Sequence, residues 1–350
     1  GDMQQIATRE VAGAIVTVVY RDKILFSRGY GFADIDKGVG VDGQQTLFRP
    51  GSVSKMFTWS ALLQQVEAGR VDLDADVNKY LDFKIPEFEG QPIRVRDLLS
   101  HTPGMSDVGG LTAPTPDKIT PYVEWMKTHI PVRHWAPGTE TSYSNYGSVL
   151  AGYIVERVSG EAFPDYVEKH IFAPLGMSST TFREPLPAAL APRMATGYQV
   201  KDGRLVAEPF ELFSPVMPAG SGTSSGPDMA RFMMAMMNGG ALGKARILKP
   251  ASVKYLMTNS VATAPGLEKV WNRPPKRRYE RMAIYRPLVA VGRQEVGYLP
   301  GTLDDNQQCS NRKRELENCR EEQNRHIAVS HSIAVLLAEG MAVALAGAVL

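Results

Sequence analysis

The sequence predicts an α+β protein, and two observations predict it. A strand hairpin opens the chain, and a long stretch of helical periodicity, broken by loops rich in Gly and Pro, follows it. Val11 to Tyr20 is rich in Val and Ile, Arg21-Asp22 supplies a turn, and Lys23 to Gly31 returns, so 11–31 reads as the hairpin. Between 46 and 260 the spacing predicts helices over 53–68, 119–129, 147–158, 162–172, 228–238 and 250–257. The fifth has the clearest signals. Ser224-Ser225 offers a cap, Pro227 an early proline and Asp228 a first-turn acid, and Gly239-Gly240 stops it. The methionines at 229, 233, 234, 236 and 237 fall at helical spacing and read as core rather than as a lipid-binding surface.

From about residue 268 the composition changes. Residues 272–325 are crowded with Arg, Asn, Gln and Glu, and 333–350 are almost wholly apolar apart from Glu339. That run barely reaches membrane-spanning length, and a central glutamate costs a few kcal/mol in lipid, so it reads as a buried C-terminal helix rather than a membrane span. The chain thus divides into residues 1–265, which carry one domain, and an atypical C-terminal segment, 266–350.

Composition bounds the function. The chain has 350 residues with 43% hydrophobic content, enough for a sizeable core. A formal net charge of +2 gives no support for binding nucleic acid or an anionic membrane. Cys309 and Cys319 are the two cysteines, so the first 308 residues hold no disulfide and no thiolate metal site, a pattern that fits either redox compartment. The opening Gly-Asp-Met-Gln carries neither a charged nor an apolar leader segment, as expected if a signal peptide is absent or removed.

The chemistry gathers at two places. Pro50-Gly51-Ser52-Val53-Ser54-Lys55 carries S-x-x-K, a pattern for which about one chance match is expected in a chain this long. A second match, Ser310 to Lys313, lies in a polar stretch with no apolar face to bury. Ser52 instead follows a Pro-Gly turn and opens an apolar helical run through Met56, Phe57, Trp59, Leu62 and Leu63. Residues i and i+3 share a helix face, so Lys55 Nζ can approach Ser52 Oγ, and a serine hydroxyl needs such a base to become a nucleophile. The backbone N–H of Ser52 can also donate to an oxyanion. Taken alone, the motif favours the plainer reading of an N-capping serine and a surface lysine. The second place is Pro137-Gly138-Thr139-Glu140-Thr141-Ser142-Tyr143-Ser144-Asn145. Tyr143 offers a phenol able to give and take a proton, and Asn145 an amide able to donate and accept. Alone, these read as a packed loop tyrosine and a helix-capping asparagine.

Together the motifs resemble a known family. Gly51-Ser52-Val53-Ser54-Lys55, Leu98-Leu99-Ser100-His101-Thr102-Pro103-Gly104-Met105, Tyr143-Ser144-Asn145, Pro174-Leu175-Gly176-Met177 and Pro218-Ala219-Gly220 occur in the order found in serine β-lactamase and penicillin-binding-protein-like hydrolases of the class C type. That group includes the family VIII carboxylesterases, and the resemblance covers roughly residues 10–260. It implies a β-lactamase/transpeptidase-like fold, with an antiparallel sheet flanked by helices, built from both chain ends, beside a mainly helical lobe. It also implies that Ser52 is acylated, Lys55 accepts or shuttles the proton, Tyr143 acts as base and then acid, and Asn145 positions Lys55 and the substrate carbonyl. Such a site uses no metal and no cofactor. In agreement, H-E-x-x-H is absent and His101, His129, His134 and His170 show no ligand spacing, with His101 read as structural.

The third motif of the family, K-T-G or H-x-G, does not occur after residue 260, and the nearest candidate is Glu295-Val296-Gly297. Three explanations compete: a divergent strand-and-helix ending, a frameshifted or spliced end, which the compositional break favours, or the ending of a protein that has lost activity. That motif helps bind substrate carboxylates, so its absence favours small neutral esters and hence a carboxylesterase. A β-lactamase or D-alanyl-D-alanine carboxypeptidase is the alternative, and a non-catalytic cell-wall-binding relative is a third reading. The resemblance points to an extracytoplasmic, periplasmic location, with a cytoplasmic one open. Oligomeric state is not legible.

Overall fold

The computed structural model of the chain describes residues 11–257 and the backbone of two further strands, 333–338 and 341–347. The predicted hairpin is strands β1 (Gly13–Tyr20) and β2 (Lys23–Asp34), turning at Arg21, which sits at φ 55°. β1 is the central strand of a five-stranded antiparallel sheet and is buried along nearly its whole length. Its run of Val and Ile suits that position, since a strand covered on both faces needs no polar alternation. β3 (Val39–Gly40) extends the sheet beyond β2.

The helices form where expected. After β4 (Leu47–Phe48), a 3₁₀ turn over Gly51–Ser54 leads into α1 (Lys55–Glu67). The short α2 (Val95–Leu99) and α3 (Tyr122–Thr128) precede α4 (Asn145–Ser159), which ends at Gly160 in the left-handed region. α5 (Phe163–Val167) continues through a π turn at Glu168–Phe172. Nine successive residues of α1 (Lys55 to Leu63) and ten of α4 (Tyr146 to Val155) are buried. Helices apolar all round belong inside a fold, and these two pack against each other at the heart of the helical lobe. Phe57 of α1 anchors that core, with its ring 4.5 Å from Phe232 and 5.0 Å from Phe172.

The hairpin β5 (Gly197–Lys201) and β6 (Arg204–Glu208) was not predicted. Strand β7 (Ser224–Ser225) then leads into α6 (Gly226–Met237), which lies across β1 and β2. Ser225 caps α6 by accepting from the Asp228 N–H, and its methionines 229, 233, 234 and 236 are buried, as the core reading expects. After the two-residue strands β8 (Ala241–Leu242) and β9 (Ala245–Arg246), α7 (Pro250–Met257) ends the continuous described region.

The C-terminal apolar run corrects the sequence reading. It is not a helix but two strands, β10 (Ile333–Ala338) and β11 (Met341–Gly347). β11 pairs antiparallel with β1, Val16 opposite Leu345, and β10 pairs with β11, so both chain ends build the sheet. Unbroken apolarity cannot separate a buried helix from a buried strand, and only two residues, Glu339-Gly340, divide runs of strand length. Among the described residues no helix is long and apolar enough to cross a membrane. Cys309, Cys319, the Ser310–Lys313 match and Glu295-Val296-Gly297 lie outside the described residues.

Candidate active site

The S-x-x-K segment enters α1 through a tighter turn than predicted. Gly51 adopts φ 54°, which glycine reaches without steric cost, and Gly51–Ser54 winds as a 3₁₀ helix before α1 begins at Lys55. In a 3₁₀ turn residues i and i+3 eclipse one another, so Ser52 and Lys55 are stacked rather than offset. Lys55 Nζ donates to Ser52 Oγ at 3.2 Å. Ser52 caps nothing, since neither the 3₁₀ turn nor α1 has a side-chain cap, and its hydroxyl is left to the cleft.

Lys55 is not a surface lysine: it is 1% exposed. Its ammonium donates to three oxygens, Ser52 Oγ, Asn145 Oδ1 at 2.9 Å and the Ala219 carbonyl at 2.9 Å. The last two can only accept. A neutral Lys55 would therefore keep two N–H groups on Asn145 and Ala219 and turn its lone pair to Ser52, the only one of the three with a proton to give.

Tyr143 and Asn145 arrive at the head of α4. Ser144 takes the capping role by accepting from the Gly147 N–H at 2.9 Å, which frees Asn145 to face Lys55. The Tyr143 hydroxyl donates to Ser52 Oγ at 2.6 Å, and its ring lies 4.8 Å below Lys55 Nζ. On its other side the ring packs against His101 at 4.5 Å. His101 Nδ1 accepts from the Ser144 N–H, and burial, with the Lys55 charge second, pushes its pKa down to about 3. His101 is a neutral wall that aims Tyr143, as its structural reading expects.

All four predicted residues thus converge on one oxygen or on the lysine beside it. Two further participants were missed. Ala219 supplies its carbonyl from a turn, Met217–Gly220, that Thr58 of α1 anchors by donating to Pro218 O at 2.6 Å. Gly152 of α4 lets that turn approach: a Cβ there would lie 2.5 Å from the Pro218 ring. Asp107 accepts from Asn145 twice, from its backbone N–H at 3.0 Å and from Nδ2 at 2.8 Å. The crowding of protein around its carboxyl raises the Asp107 pKa, against the pull of those hydrogen bonds. No sequence signal marks Asp107, and Ala219 was visible only as part of Pro218-Ala219-Gly220. Among the described residues no group of His, Cys, Asp and Glu could hold a metal ion. His129 stacks on Trp125 and His170 pairs with Glu161.

The Beta-lactamase family profile matches residues 3–277. The chain belongs to the Beta-lactamase family. A protein of Bacillus subtilis (strain 168) described as "Putative penicillin-binding protein PbpX" is 32% identical over 63% of this chain and 54% of its own length. A "Beta-lactamase" of Yersinia enterocolitica is 31% identical over 65% of this chain and 55% of its own. The chain therefore spans about half the length of these relatives. Among solved structures, the octameric penicillin-binding protein homologue from Pyrococcus abyssi superposes with a TM-score of 0.63 at 26% identity, covering 74% of this chain and 59% of that one. EstCE1, described as a hydrolase with promiscuous acyltransferase activity, superposes at 0.62 with 20% identity over 71% and 73%, a likeness of fold alone. The β-lactamase/transpeptidase-like fold expected of this α+β family member is the one observed.

Proposed function

We propose that this Beta-lactamase family member is a serine hydrolase that forms an acyl-enzyme on Ser52, acting on small neutral acyl esters. The observation that carries it is the single oxygen, Ser52 Oγ, held between the Tyr143 hydroxyl and Lys55 Nζ. Ser52 Oγ attacks the ester carbonyl carbon while its proton passes to the deprotonated member of the pair, either Tyr143 as a phenolate whose own proton Lys55 holds, or the lone pair of a neutral Lys55 while Tyr143 keeps its proton. The Ser52 N–H donates to the oxyanion. Tyr143 returns a proton to the departing alkoxide, and water then hydrolyses the acyl-enzyme by the reverse exchange. Asn145 holds Lys55 and receives the substrate carbonyl region. The site uses no metal or cofactor for these steps.

The sequence lacks K-T-G and H-x-G beyond residue 260, which supports a substrate without a carboxylate to be recognised. Kinship with proteins described as a β-lactamase and a penicillin-binding protein supports the second reading, turnover of a β-lactam or D-alanyl peptide, and with it an extracytoplasmic location. The test is intact-mass analysis and peptide mapping after exposure to a fluorophosphonate or a p-nitrophenyl ester. An adduct on Ser52, absent in Ser52→Ala, is expected, with ester turnover exceeding that of nitrocefin. Nitrocefin turnover above ester turnover would favour the second reading. A folded protein that binds muropeptides without any adduct would replace both with the cell-wall-binding role.

A further inference from the structure

We propose that Asp107 is a positioning residue that locks the Asn145 amide with its oxygen toward Lys55, so that the lysine lone pair stays aimed at Ser52 when the ammonium gives up its proton. The inference rests on the reading of Ser52 as the nucleophile.

The geometry is specific. One carboxylate accepts from both donors of Asn145, Oδ1 from the backbone N–H and Oδ2 from Nδ2, leaving Oδ1 of the amide free to face Lys55 Nζ. While Lys55 is charged, the ammonium itself selects the amide oxygen, because a flipped amide would set donor against donor. Once Lys55 is neutral that selection weakens. A flipped amide could then donate Nδ2 to the lysine lone pair, and the base would be turned away from Ser52 Oγ. Asp107 forbids the flip in both protonation states, because it would bring the amide oxygen against a carboxylate. Asp107 sits outside α4 and touches the first N–H of that helix, a place where negative charge is favoured. It thus joins the loop after Met105 to the head of α4 without contacting Ser52, Lys55 or Tyr143 by any described hydrogen bond.

The test compares Asp107→Ala with Asp107→Asn, each alone and in an Asn145→Ala background, reading kcat and KM for p-nitrophenyl butyrate and the melting temperature. Asp107→Ala should lower kcat about 10-fold with KM nearly unchanged, and Asp107→Asn about 100-fold. The isosteric change is the more damaging one because its amide, accepting from the Asn145 N–H, turns its own NH₂ to Asn145 and favours the flip. In the Asn145→Ala background neither change should cost more than about twofold. A milder loss for Asp107→Asn than for Asp107→Ala, or equal losses in both backgrounds, would overturn the proposal in favour of a packing role. A second readout is independent of Ser52 chemistry. In Ser52→Ala the Asn145 side-chain amide should show a protected, downfield NMR resonance that Asp107→Ala abolishes. An Asn145 resonance indifferent to Asp107 overturns the proposal. A lock that persists in protein whose Ser52 takes no adduct instead locates the failure in the nucleophile assignment.

Discussion

Two buried cations stand six residues apart in this chain and are treated in opposite ways. Arg49 is 3% exposed and meets a carboxylate directly, Glu184 at 2.5 Å, with a further bond to the Glu211 carbonyl and the Phe210 ring 4.0 Å away. Lys55 is 1% exposed and, among the described residues, donates to three neutral oxygens, with the Asp107 carboxylate one amide removed. A guanidinium does not give up its proton, so pairing it with an ion fixes the loop that precedes Ser52. An ammonium held by dipoles alone keeps its three hydrogen bonds but is not locked into its charged form by a contact ion pair. The first arrangement builds shape, and the second is the one that the proposed proton relay requires.

The largest effect that would sharpen this contrast is on stability. Burial lowers the Arg49 pKa and raises that of Glu184, so for each ion desolvation outweighs its partner. Arg49→Met strands the Glu184 carboxylate and should destabilise the fold by about 3–5 kcal/mol, measured by urea denaturation. Adding Glu184→Leu should recover most of that loss, and no recovery would mean the pair itself carries stability.

A smaller effect is expected from acid. His101 folds with its pKa lowered from 6.5 to about 3, so the unfolded chain binds a proton that the folded chain refuses. Its contribution is intact above pH 6.5 and is lost as pH falls toward 3. Between pH 7 and 4 it should cost about 3 kcal/mol, and His101→Gln should flatten that part of the stability–pH curve. The smallest effect is at the helix crossing that serves Lys55. Gly152→Ala puts a methyl 2.5 Å from Pro218 and should cost about 1–3 kcal/mol by thermal unfolding. It should also lower kcat, because the turn bearing the Ala219 carbonyl must move; an unchanged kcat would show that this acceptor is dispensable.

How much of this was legible in the sequence follows from what each feature depends on. The hairpin at Arg21-Asp22 and the helices rest on local pattern, and each lies within a few residues of its predicted place. The Ser225 side chain caps the head of α6, and Gly239-Gly240, both at positive φ, follow its end. Ser52, Lys55, Tyr143 and Asn145 could be named because several motifs in order resemble a known family, yet the 3₁₀ entry that brings Ser52 within 3.2 Å of Lys55 has no sequence mark. Ala219 meets Lys55 through its backbone carbonyl and Asp107 meets Asn145, 38 positions away, contacts that only tertiary packing creates. The helix expected over 333–350 failed because its apolar run fits either period, and the sheet edge offered by β1 decided for strands.

The most direct test of the central claim is the pre-steady-state burst of p-nitrophenol in Lys55→Arg set beside Arg49→Lys. Both variants keep a cation at its buried position, but only the first removes a proton that can be released. The burst rate should fall about 10²–10⁴-fold in Lys55→Arg and change little in Arg49→Lys. A full-rate burst in folded Lys55→Arg would show that Ser52 is activated without Lys55 and would contradict the account.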